Sequence, residues 1–381
     1  MMILAVILAI FVYGLIAATL GTILPNLSER FHLSPKQNGN IAFAQALGLI
    51  LASLAVGPLL DAEGKKIGLV LGLALISVAL AALPRSKGYR SILVLLFVLG
   101  IGGGIVVTGA NALASDVGGA HRASILNLVN LFFGLGGFLT PFIAANLFSG
   151  KWVRLCYAIA GFTVATLVFE IITRMPVPTG AYTLSAADMG QVVGRPIILL
   201  LGLLLFLYVT CEVGVWNWLP RHLIAQGIPE SRALIILSVG FALGLLVGRT
   251  VASPVLLRVS AITVVLIASA AMAITTFLML RTRNPLVALI LVALAGLSMA
   301  PVYPTALAIV GNVSPRMSGT AIGFVITCGW VGLAVSSRVI GAIAGGDPLR
   351  LRKALMVIPA SAALMVVLSL VIRAAQHGIP L

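Results

Sequence analysis

Charged side chains are scarce in this sequence. They make up 9% of its 381 residues, whereas 61% are hydrophobic. A soluble domain needs a polar and charged surface, so this composition excludes a soluble globular protein. The charged residues comprise 24 basic and 9 acidic ones. Because the basic residues lie in short segments between apolar runs, we interpret them as membrane-flanking and expect no nucleic-acid partner.

Cysteine and histidine are scarce as well. The three cysteines, an odd number, all lie inside apolar segments, so we expect no disulfide framework. The four histidines lack metal-ligand spacing. The sequence also lacks a G-x-x-x-x-G-K-[ST] segment, which excludes that kind of ATPase site. We therefore expect no cofactor, no metal and no enzymatic activity. The cysteines are Cys156, Cys211 and Cys328.

Long apolar runs are what the sequence has in abundance, and its mean hydropathy is +1.18. A membrane-spanning helix needs about 20 residues, so the chain has room for roughly twelve. It opens MMILAVILAIF without a basic segment, which favours a first span over a cleaved signal peptide. The predicted class is an all-α polytopic membrane protein. Spans are predicted at 3–27, 38–60, 67–83, 91–115, 121–147, 152–172, 196–219, 232–252, 261–280, 285–310, 317–343 and 351–372.

A polar stretch after the sixth run separates two halves. We predict six-helix bundles at 1–174 and 196–381, related by pseudo-two-fold symmetry and joined by a cytoplasmic linker at 175–195. The halves resemble a parallel repeat, which is typical of transporters with a site at the interface between halves. Because the chain has 40 glycines, chance matches are the alternative. The matching positions are Pro25 and Pro220, 195 residues apart, Gly57 and Gly248, 191 apart, and Gly134 and Gly329, 195 apart.

The loop between the second and third runs reads GPLLDAEGKK. Gly57 permits close helix approach, Asp61 can pair with a basic residue or cap a neighbouring helix, and Gly64 turns the chain. Lys65 and Lys66 would meet the anionic cytoplasmic leaflet. The loop resembles the signature G-x-x-x-D-x-x-G-[RK]-[RK] of the major facilitator superfamily. That resemblance implies a cytoplasmic gating loop and cytoplasmic termini; the alternative is an ordinary charged turn.

The distribution of lysine and arginine favours the opposite orientation. Loops on the side of the termini hold nine basic residues and the other loops hold fourteen, so the positive-inside rule would place the termini outside. We keep the orientation that the loop implies. The nine are Lys65, Lys66, Arg122, Arg174, Arg195, Arg249, Arg258, Arg316 and Arg373; the fourteen are Arg30, Lys36, Arg85, Lys87, Arg90, Lys151, Arg154, Arg221, Arg232, Arg281, Arg283, Arg350, Arg352 and Lys353.

Further segments resemble the fucose–proton symporter family within that superfamily. They are GIGGGIVVTGANALASD in span four, LNLVNLFFGLGGFLTP in span five, YVTCEVGVWNWLPRHL and GRTVASPVLLR in spans seven and eight, and GLSMAPVYPTAL in span ten. The similarity covers most of the chain. It implies the superfamily fold and a small neutral polar substrate, a hexose such as glucose, galactose or fucose.

Two positions depart from that family's pattern. Its symporters have a coupling acid four residues before the proline that closes span one, and here the residue is Gly21. They have another acid four residues before the span-four asparagine, and here it is Val107. Neither side chain can take up a proton, so the comparison favours a uniporter over a symporter.

Three buried amides are candidate sugar ligands, since amides hydrogen-bond hydroxyl groups. Asn130 occupies the place of the family's sugar-contacting amide, Asn111 matches its span-four asparagine, and Gln45 lies in span two. The alternative for each is a hydrogen bond that braces two helices.

Span seven places a carboxyl group deep in an apolar run. Tyr208, Glu212 and Trp216 are spaced four apart and share one helix face. A carboxyl group at that depth is costly unless it faces a partner or a water-filled cavity. Glu212 is therefore a candidate substrate or proton ligand, with a structural pair as the alternative. We assign Trp216 and Asn217 to the cavity and Trp218 to the aromatic belt.

Spans ten and eleven supply the remaining candidates. Tyr303 lies between Pro301 and Pro304, where a broken helix would free carbonyl groups. Thr327, Trp330 and Arg338 fall near one stripe of span eleven. For Arg338 we expect snorkelling to the outer interface, with an ion pair to Glu212 as the alternative.

These features predict a monomeric, multi-pass transporter in the bacterial inner membrane that moves a small neutral solute, a monosaccharide, by alternating access. Its partners would be the solute and the lipid bilayer. The alternative is a proton-coupled efflux antiporter for drugs or metabolites, with Glu212 as its acid. A scaffold or receptor that transports nothing is the third class considered, and the short loops disfavour it.

Overall fold

The computed structural model describes residues 1–175, 186–344 and 348–376. Within these ranges the chain is almost entirely helical and contains no β-strand. Of the predicted linker at 175–195, residues 176–185 lie outside the described part. The helices are α1 (Met2–Phe31), α2 (Pro35–Glu63), α3 (Lys65–Ala82), α4 (Tyr89–Gly118), α5 (Arg122–Asn146), α6 (Trp152–Ile172), α7 (Ala186–Val193), α8 (Pro196–Ala225), α9 (Glu230–Ile235), α10 (Leu243–Val255), α11 (Ala261–Met279), α12 (Pro285–Met299), α13 (Val302–Val313), α14 (Ser318–Ala344), α15 (Pro348–Leu355) and α16 (Val357–Gln376).

Eleven segments of the described chain are long and apolar enough to cross a membrane. One of them, Tyr89–Asn146, has 58 residues, far more than the roughly 20 that a bilayer requires. It consists of α4 and α5, joined by a 3₁₀ turn that begins at Gly119 with φ of 48°. The segment therefore supplies two spans, which gives the twelve that the apolar runs predict.

Pro25 and Pro220 do not end their spans, so that part of the sequence prediction is wrong. Each proline lies inside a helix of 30 residues, α1 and α8, which continue to Phe31 and Ala225. A proline removes one backbone hydrogen bond, but a membrane helix tolerates the loss where neighbouring groups compensate for it. His32 follows the last residue of α1 and caps it: its backbone is left-handed (φ 49°), and its N–H donates to the Ser28 carbonyl.

Spans eight and ten contain irregular backbone. A π-helical segment, Ile236–Ala242, joins α9 to α10 within span eight. Span ten is interrupted between Met299 and Val302, so α12 and α13 are separate helices. This interruption confirms the break predicted from Pro301. Both kinds of irregularity leave backbone groups outside the regular α-helical ladder.

Helices α2 and α4 pack closely against each other at two glycines. A Cβ atom added to Gly48 would overlap the carbonyl oxygen of Phe97, and one added to Gly100 would overlap that of Gln45. The two helix backbones therefore touch at these points, and larger residues there would separate them.

The same contacts recur between span eight and α12. A Cβ atom on Gly244 would overlap the carbonyl oxygen of Ala293, and one on Gly296 would overlap that of Phe241. Gly48 and Gly244 lie 196 residues apart, as do Gly100 and Gly296. The parallel repeat is thus present in the packing as well as in the sequence.

One predicted repeat pair needs correction. A Cβ atom on Gly104 would lie 2.9 Å from that of Ala52, and one on Gly248 would lie 2.5 Å from that of Ala300. These two contacts are again 196 residues apart, with glycine and alanine exchanged between the helices. Gly248 therefore corresponds to Ala52 rather than to Gly57. The abundance of glycine made the wrong match possible.

By their internal contacts, the residues form two units. Unit 1 comprises Met1–Gly119, Val129–Val193 and Ser314–Thr327; unit 2 comprises Ala120–Leu128, Gly194–Val313 and Cys328–Leu381. The first turns of α5 thus belong to unit 2, and the first turns of α14 belong to unit 1. The boundaries predicted for two contiguous bundles stay a prediction.

Candidate functional site

The signature loop of unit 1 caps a helix. Asp61 lies at the end of α2, and its carboxylate accepts hydrogen bonds from the backbone N–H groups of Gly319 (2.8 Å) and Thr320 (2.7 Å). The Thr320 hydroxyl donates a third, of 2.8 Å. Free N–H groups and the positive end of the helix dipole both favour an anion at the start of α14. The helix-capping alternative predicted for Asp61 is thus confirmed; the gating role stays a prediction.

Glycine at two positions brings α2 against α14. A Cβ atom on Gly57 would lie 2.6 Å from the Cα of Thr320 and 2.7 Å from the carbonyl oxygen of Gly319. A Cβ atom on Gly319 would lie 2.8 Å from both Asp61 Oδ1 and the carbonyl oxygen of Gly57. Any larger side chain at either position would move Asp61 away from the backbone that it caps. Gly64, with φ of 95°, makes the turn into α3.

Lys65 and Lys66 bind protein groups, and their contact with the lipid leaflet stays a prediction. The Lys65 ammonium lies 3.2 Å from Asp61 and 3.0 Å from Asp116. Asp116 in turn accepts a 2.8 Å hydrogen bond from Ser318. Lys66 donates to the carbonyl oxygens of Ile171 (2.6 Å) and Thr173 (2.9 Å). A cation at these carbonyls complements the C-terminal end of α6.

The amide candidates of unit 1 bond to each other. The Asn130 amide N–H donates a 2.8 Å hydrogen bond to the side-chain oxygen of Asn111. The amide N–H of Asn111 donates another, of 2.8 Å, to the Val107 carbonyl. Both side chains are buried. This contact is the helix-bracing hydrogen bond given above as the alternative, and sugar contact by these amides stays a prediction. Gln45, on α2, is partly exposed.

Four polar side chains of unit 2 converge on one place. Glu212 of α8 interacts electrostatically with Tyr208, one turn earlier, and with Arg249 of α10. Tyr303, in the first turn of α13, also interacts with Glu212, and its ring centroid lies 6.2 Å from that of Tyr208. Tyr208 and Arg249 are 0% and 4% exposed, whereas Glu212 and Tyr303 are partly exposed. We call these four residues the span-seven cluster.

Arg249 is the member that sequence reasoning missed. It had been counted among the loop arginines, but it is buried in α10. Its position inside the predicted span 232–252 is the sequence signal that points to burial. Arg338 is the arginine that the sequence analysis offers as a partner for Glu212. Arg338 is exposed, so the structure supplies Glu212 with a different arginine.

The tryptophan candidates differ in their surroundings. Trp216 is 38% exposed and packs edge-on against Phe241, with ring centroids 5.2 Å apart. A Cβ atom on Gly341 would lie 3.6 Å from the ring of Trp218, and the guanidinium of Arg221 lies 5.4 Å from the centroid of that ring. Asn217 is exposed, and Trp330 of α14 is partly exposed.

Thr327, which the sequence places on one stripe of span eleven with Trp330 and Arg338, groups with different parts of the chain by its contacts. It belongs to unit 1, whereas Trp330 belongs to unit 2. Its hydroxyl donates a 2.8 Å hydrogen bond to the Gly323 carbonyl of its own helix. A substrate role for Thr327 stays a prediction.

Comparison with protein families decides the class. A model described as Major Facilitator Superfamily matches residues 6–376. The chain belongs to this superfamily. Its predicted twelve-helix architecture is confirmed by that match and by similarity to solved structures of the superfamily.

Among curated superfamily relatives, the chain is similar to "Protein TsgA homolog" from Serratia proteamaculans. The two are 24% identical over 341 residues, which covers 87% of this chain and 84% of that protein. A TsgA homolog from Yersinia enterocolitica is 23% identical over 337 residues, with coverage of 87% and 84%.

Two solved transporters share the fold. FucP in its outward conformation gives a TM-score of 0.85 at 17% identity and covers 97% of this chain and 98% of its own. The proton:xylose symporter XylE, bound to 6-bromo-6-deoxy-D-glucose, gives 0.79 at 14% identity, with coverage of 100% and 95%.

The family resemblance predicts a coupling acid at two positions, and Gly21 and Val107 stand there instead. Gly21 is exposed on α1, and a Cβ atom there would meet no other atom within 4 Å. Val107 is buried in α4, and its carbonyl accepts the Asn111 hydrogen bond. Packing does not require glycine at position 21, since a side chain would fit there.

Proposed function

We propose that the chain transports a small neutral polar solute, a monosaccharide such as glucose, galactose or fucose, by alternating access. The observation that supports this most is similarity of fold over nearly the whole chain to the sugar–proton symporters FucP and XylE. Both are proton symporters by their names. We further propose a monomer in the bacterial inner membrane with both termini in the cytoplasm. A C-terminal reporter that is active only outside the cytoplasm should be silent.

The two missing acids favour transport without proton coupling, and Glu212 as a lone coupling acid is the alternative. A symporter needs a group that takes up a proton in one orientation and releases it in the other. Gly21 and Val107 cannot do so. Because the space beside Gly21 is open, Gly21→Asp should fold and offers a matched gain-of-function control.

Uptake into proteoliposomes tests the proposal. Vesicles that contain the purified protein should take up radiolabelled D-glucose, D-galactose or L-fucose with saturation, and protein-free vesicles should not. An inward proton gradient should leave the internal sugar no higher than the external one. Uphill accumulation driven by that gradient would contradict uniport, and the absence of saturable uptake of all three sugars would contradict sugar transport.

Efflux of an amphipathic compound is the second candidate. The human organic anion transporter MFSD10 also shares the fold, with a TM-score of 0.78 at 18% identity over 97% of this chain. Expression in a sensitive host should then permit growth on toxic anionic compounds, and Glu212→Gln should abolish that growth. Sugar uptake without any such protection would exclude this candidate.

A further inference from the structure

The span-seven cluster contains a polar group that packing alone leaves unsatisfied. Within the described chain, the phenol oxygen of Tyr303 is a buried atom that lacks a hydrogen-bond partner, and Tyr303 interacts electrostatically with Glu212. A buried hydroxyl without a partner destabilises the folded state. Groups in this state are candidates for hydrogen bonds to a ligand.

Irregular backbone occurs in two of the spans that supply the cluster. Tyr303 is the second residue after the interruption between α12 and α13, and Arg249 lies in α10, about two turns beyond the π-helical segment of span eight. Broken helices in transporters mark places where backbone and side chains turn toward a site, and π-helical turns are frequent at functional sites. Two independent interruptions in the spans that supply one cluster favour a binding role over simple packing.

The internal repeat relates the cluster to positions already singled out in unit 1. At the 196-residue spacing of the packed glycines, Tyr303 corresponds to Val107. At the 195-residue spacing of the prolines, Trp216 corresponds to Gly21, one turn along α8 from Glu212. Unit 2 thus has a phenol and an indole at the positions that correspond to Val107 and Gly21 in unit 1.

We propose that Glu212 and Tyr303 bind two adjacent hydroxyl groups of the transported sugar, with Arg249 as the positioning residue for Glu212. This inference rests on the proposed function. A carboxylate accepts two hydrogen bonds side by side, and a phenol both donates and accepts, so the pair matches a vicinal diol. Arg249 is buried, interacts electrostatically with the carboxyl group and carries the positive charge that a carboxylate at this depth requires.

Sugar analogues combined with variants test the subsite. Counterflow of whichever of D-glucose, D-galactose and L-fucose the wild type transports is measured for Glu212→Gln, Tyr303→Phe, Arg249→Gln and Arg249→Lys. Arg338→Gln is the matched control, since it removes an exposed arginine from the same unit. We expect affinity to fall about tenfold for Glu212→Gln and threefold for Tyr303→Phe, to recover partly in Arg249→Lys relative to Arg249→Gln, and to be unchanged in the control.

Monodeoxy analogues of the same sugar identify the contact. In the wild type, removal of either of two adjacent hydroxyls should weaken binding about tenfold, and in Glu212→Gln those losses should shrink below twofold. Equal losses in both proteins would overturn the subsite while leaving sugar transport intact. Failure of the wild type to bind any of the sugars would instead refute the proposed function, and the subsite with it.

Stability measurements separate a subsite from a structural ion pair. If Glu212 and Arg249 only pair with each other, the double variant Glu212→Gln/Arg249→Gln should regain both the wild-type melting temperature and wild-type sugar affinity. Under the proposal it stays weak in binding even where its melting temperature recovers. A proton role would be shown by unchanged binding in Glu212→Gln together with lost pH dependence, and that result would also overturn the subsite.

Discussion

The first turns of α14 and α5 are held in different ways. In unit 1, the start of α14 is bound by two carboxylates: Asp61 accepts three hydrogen bonds of 2.7–2.8 Å, and Asp116 accepts one of 2.8 Å from Ser318. In unit 2, most of the groups that bind the start of α5 are neutral: Asn127 donates a 3.0 Å hydrogen bond to Thr305, and the hydroxyls of Ser124 and Ser253 lie 2.9 Å apart. Arg122 adds a bond to Asn312.

The repeat explains why the two contacts differ. The residue 196 positions after Asp61 is Leu257, which is 53% exposed and cannot cap a helix. Hydrogen bonds to a charged group contribute about 1.5–3 kcal/mol each, and neutral ones about 0.5–1.5 kcal/mol. The unit 1 contact is therefore concentrated on carboxylates, chiefly Asp61, whereas the unit 2 contact is distributed over several side chains that are mostly neutral.

Removal of the Asp61 carboxylate should have the largest effect. Asp61→Ala leaves two backbone N–H groups and the Thr320 hydroxyl without their acceptor, so we expect uptake to fall at least tenfold and the melting temperature to fall by a few degrees. Glu63→Gln, at the exposed end of the same helix, is the matched control and should behave as wild type. Equal effects of the two changes would mean that overall charge, rather than the cap, matters.

A methyl group at Gly57 should have the next largest effect. Gly57→Ala places a Cβ atom 2.6 Å from the Thr320 Cα, so α2 and α14 must separate and the Asp61 bonds must lengthen. We expect a several-fold loss of uptake, measured beside Gly161→Ala. Position 161 has open space, and alanine favours a helix by about 1 kcal/mol. Wild-type uptake by Gly57→Ala would show that the close approach is dispensable.

Loss of one neutral contact in unit 2 should have the smallest effect. Asn127→Ala removes one hydrogen bond to Thr305, which contributes about 1 kcal/mol. We therefore expect uptake to fall by roughly fivefold at most. Thr305→Val should give a similar, non-additive loss, because both remove the same bond. A loss as large as that of Asp61→Ala would refute the view that unit 2 distributes its contact.

The number of spans and the contact at Asp61 could be predicted from the sequence, because both depend on short stretches of the chain. The apolar runs predicted twelve spans because a bilayer fixes helix length. The GPLLDAEGKK spacing predicted the cap at Asp61. The start of α5 could not be predicted in this way, because serine, asparagine and threonine occur throughout membrane helices and form no distinctive spacing.

The candidate site was predicted only in part. Glu212 was identified because a carboxyl group in an apolar run is conspicuous, and Tyr303 because prolines flank it. Arg249 was missed, since the end of a span and the start of a loop look alike in sequence when boundaries are uncertain by a few residues. Asn111 and Asn130 were found, but their mutual hydrogen bond depends on helix rotation, which the sequence pattern does not specify.

The π-helical segment has a consequence for how the halves differ. The prolines of α1 and α8 are 195 residues apart, whereas the packed glycines that follow Ile236–Ala242 are 196 apart from their counterparts. One additional residue in a helix, accommodated as a wide turn, would produce this difference. Deleting one residue there would restore the 195-residue spacing and turn Arg249 by about 100° relative to the start of its span.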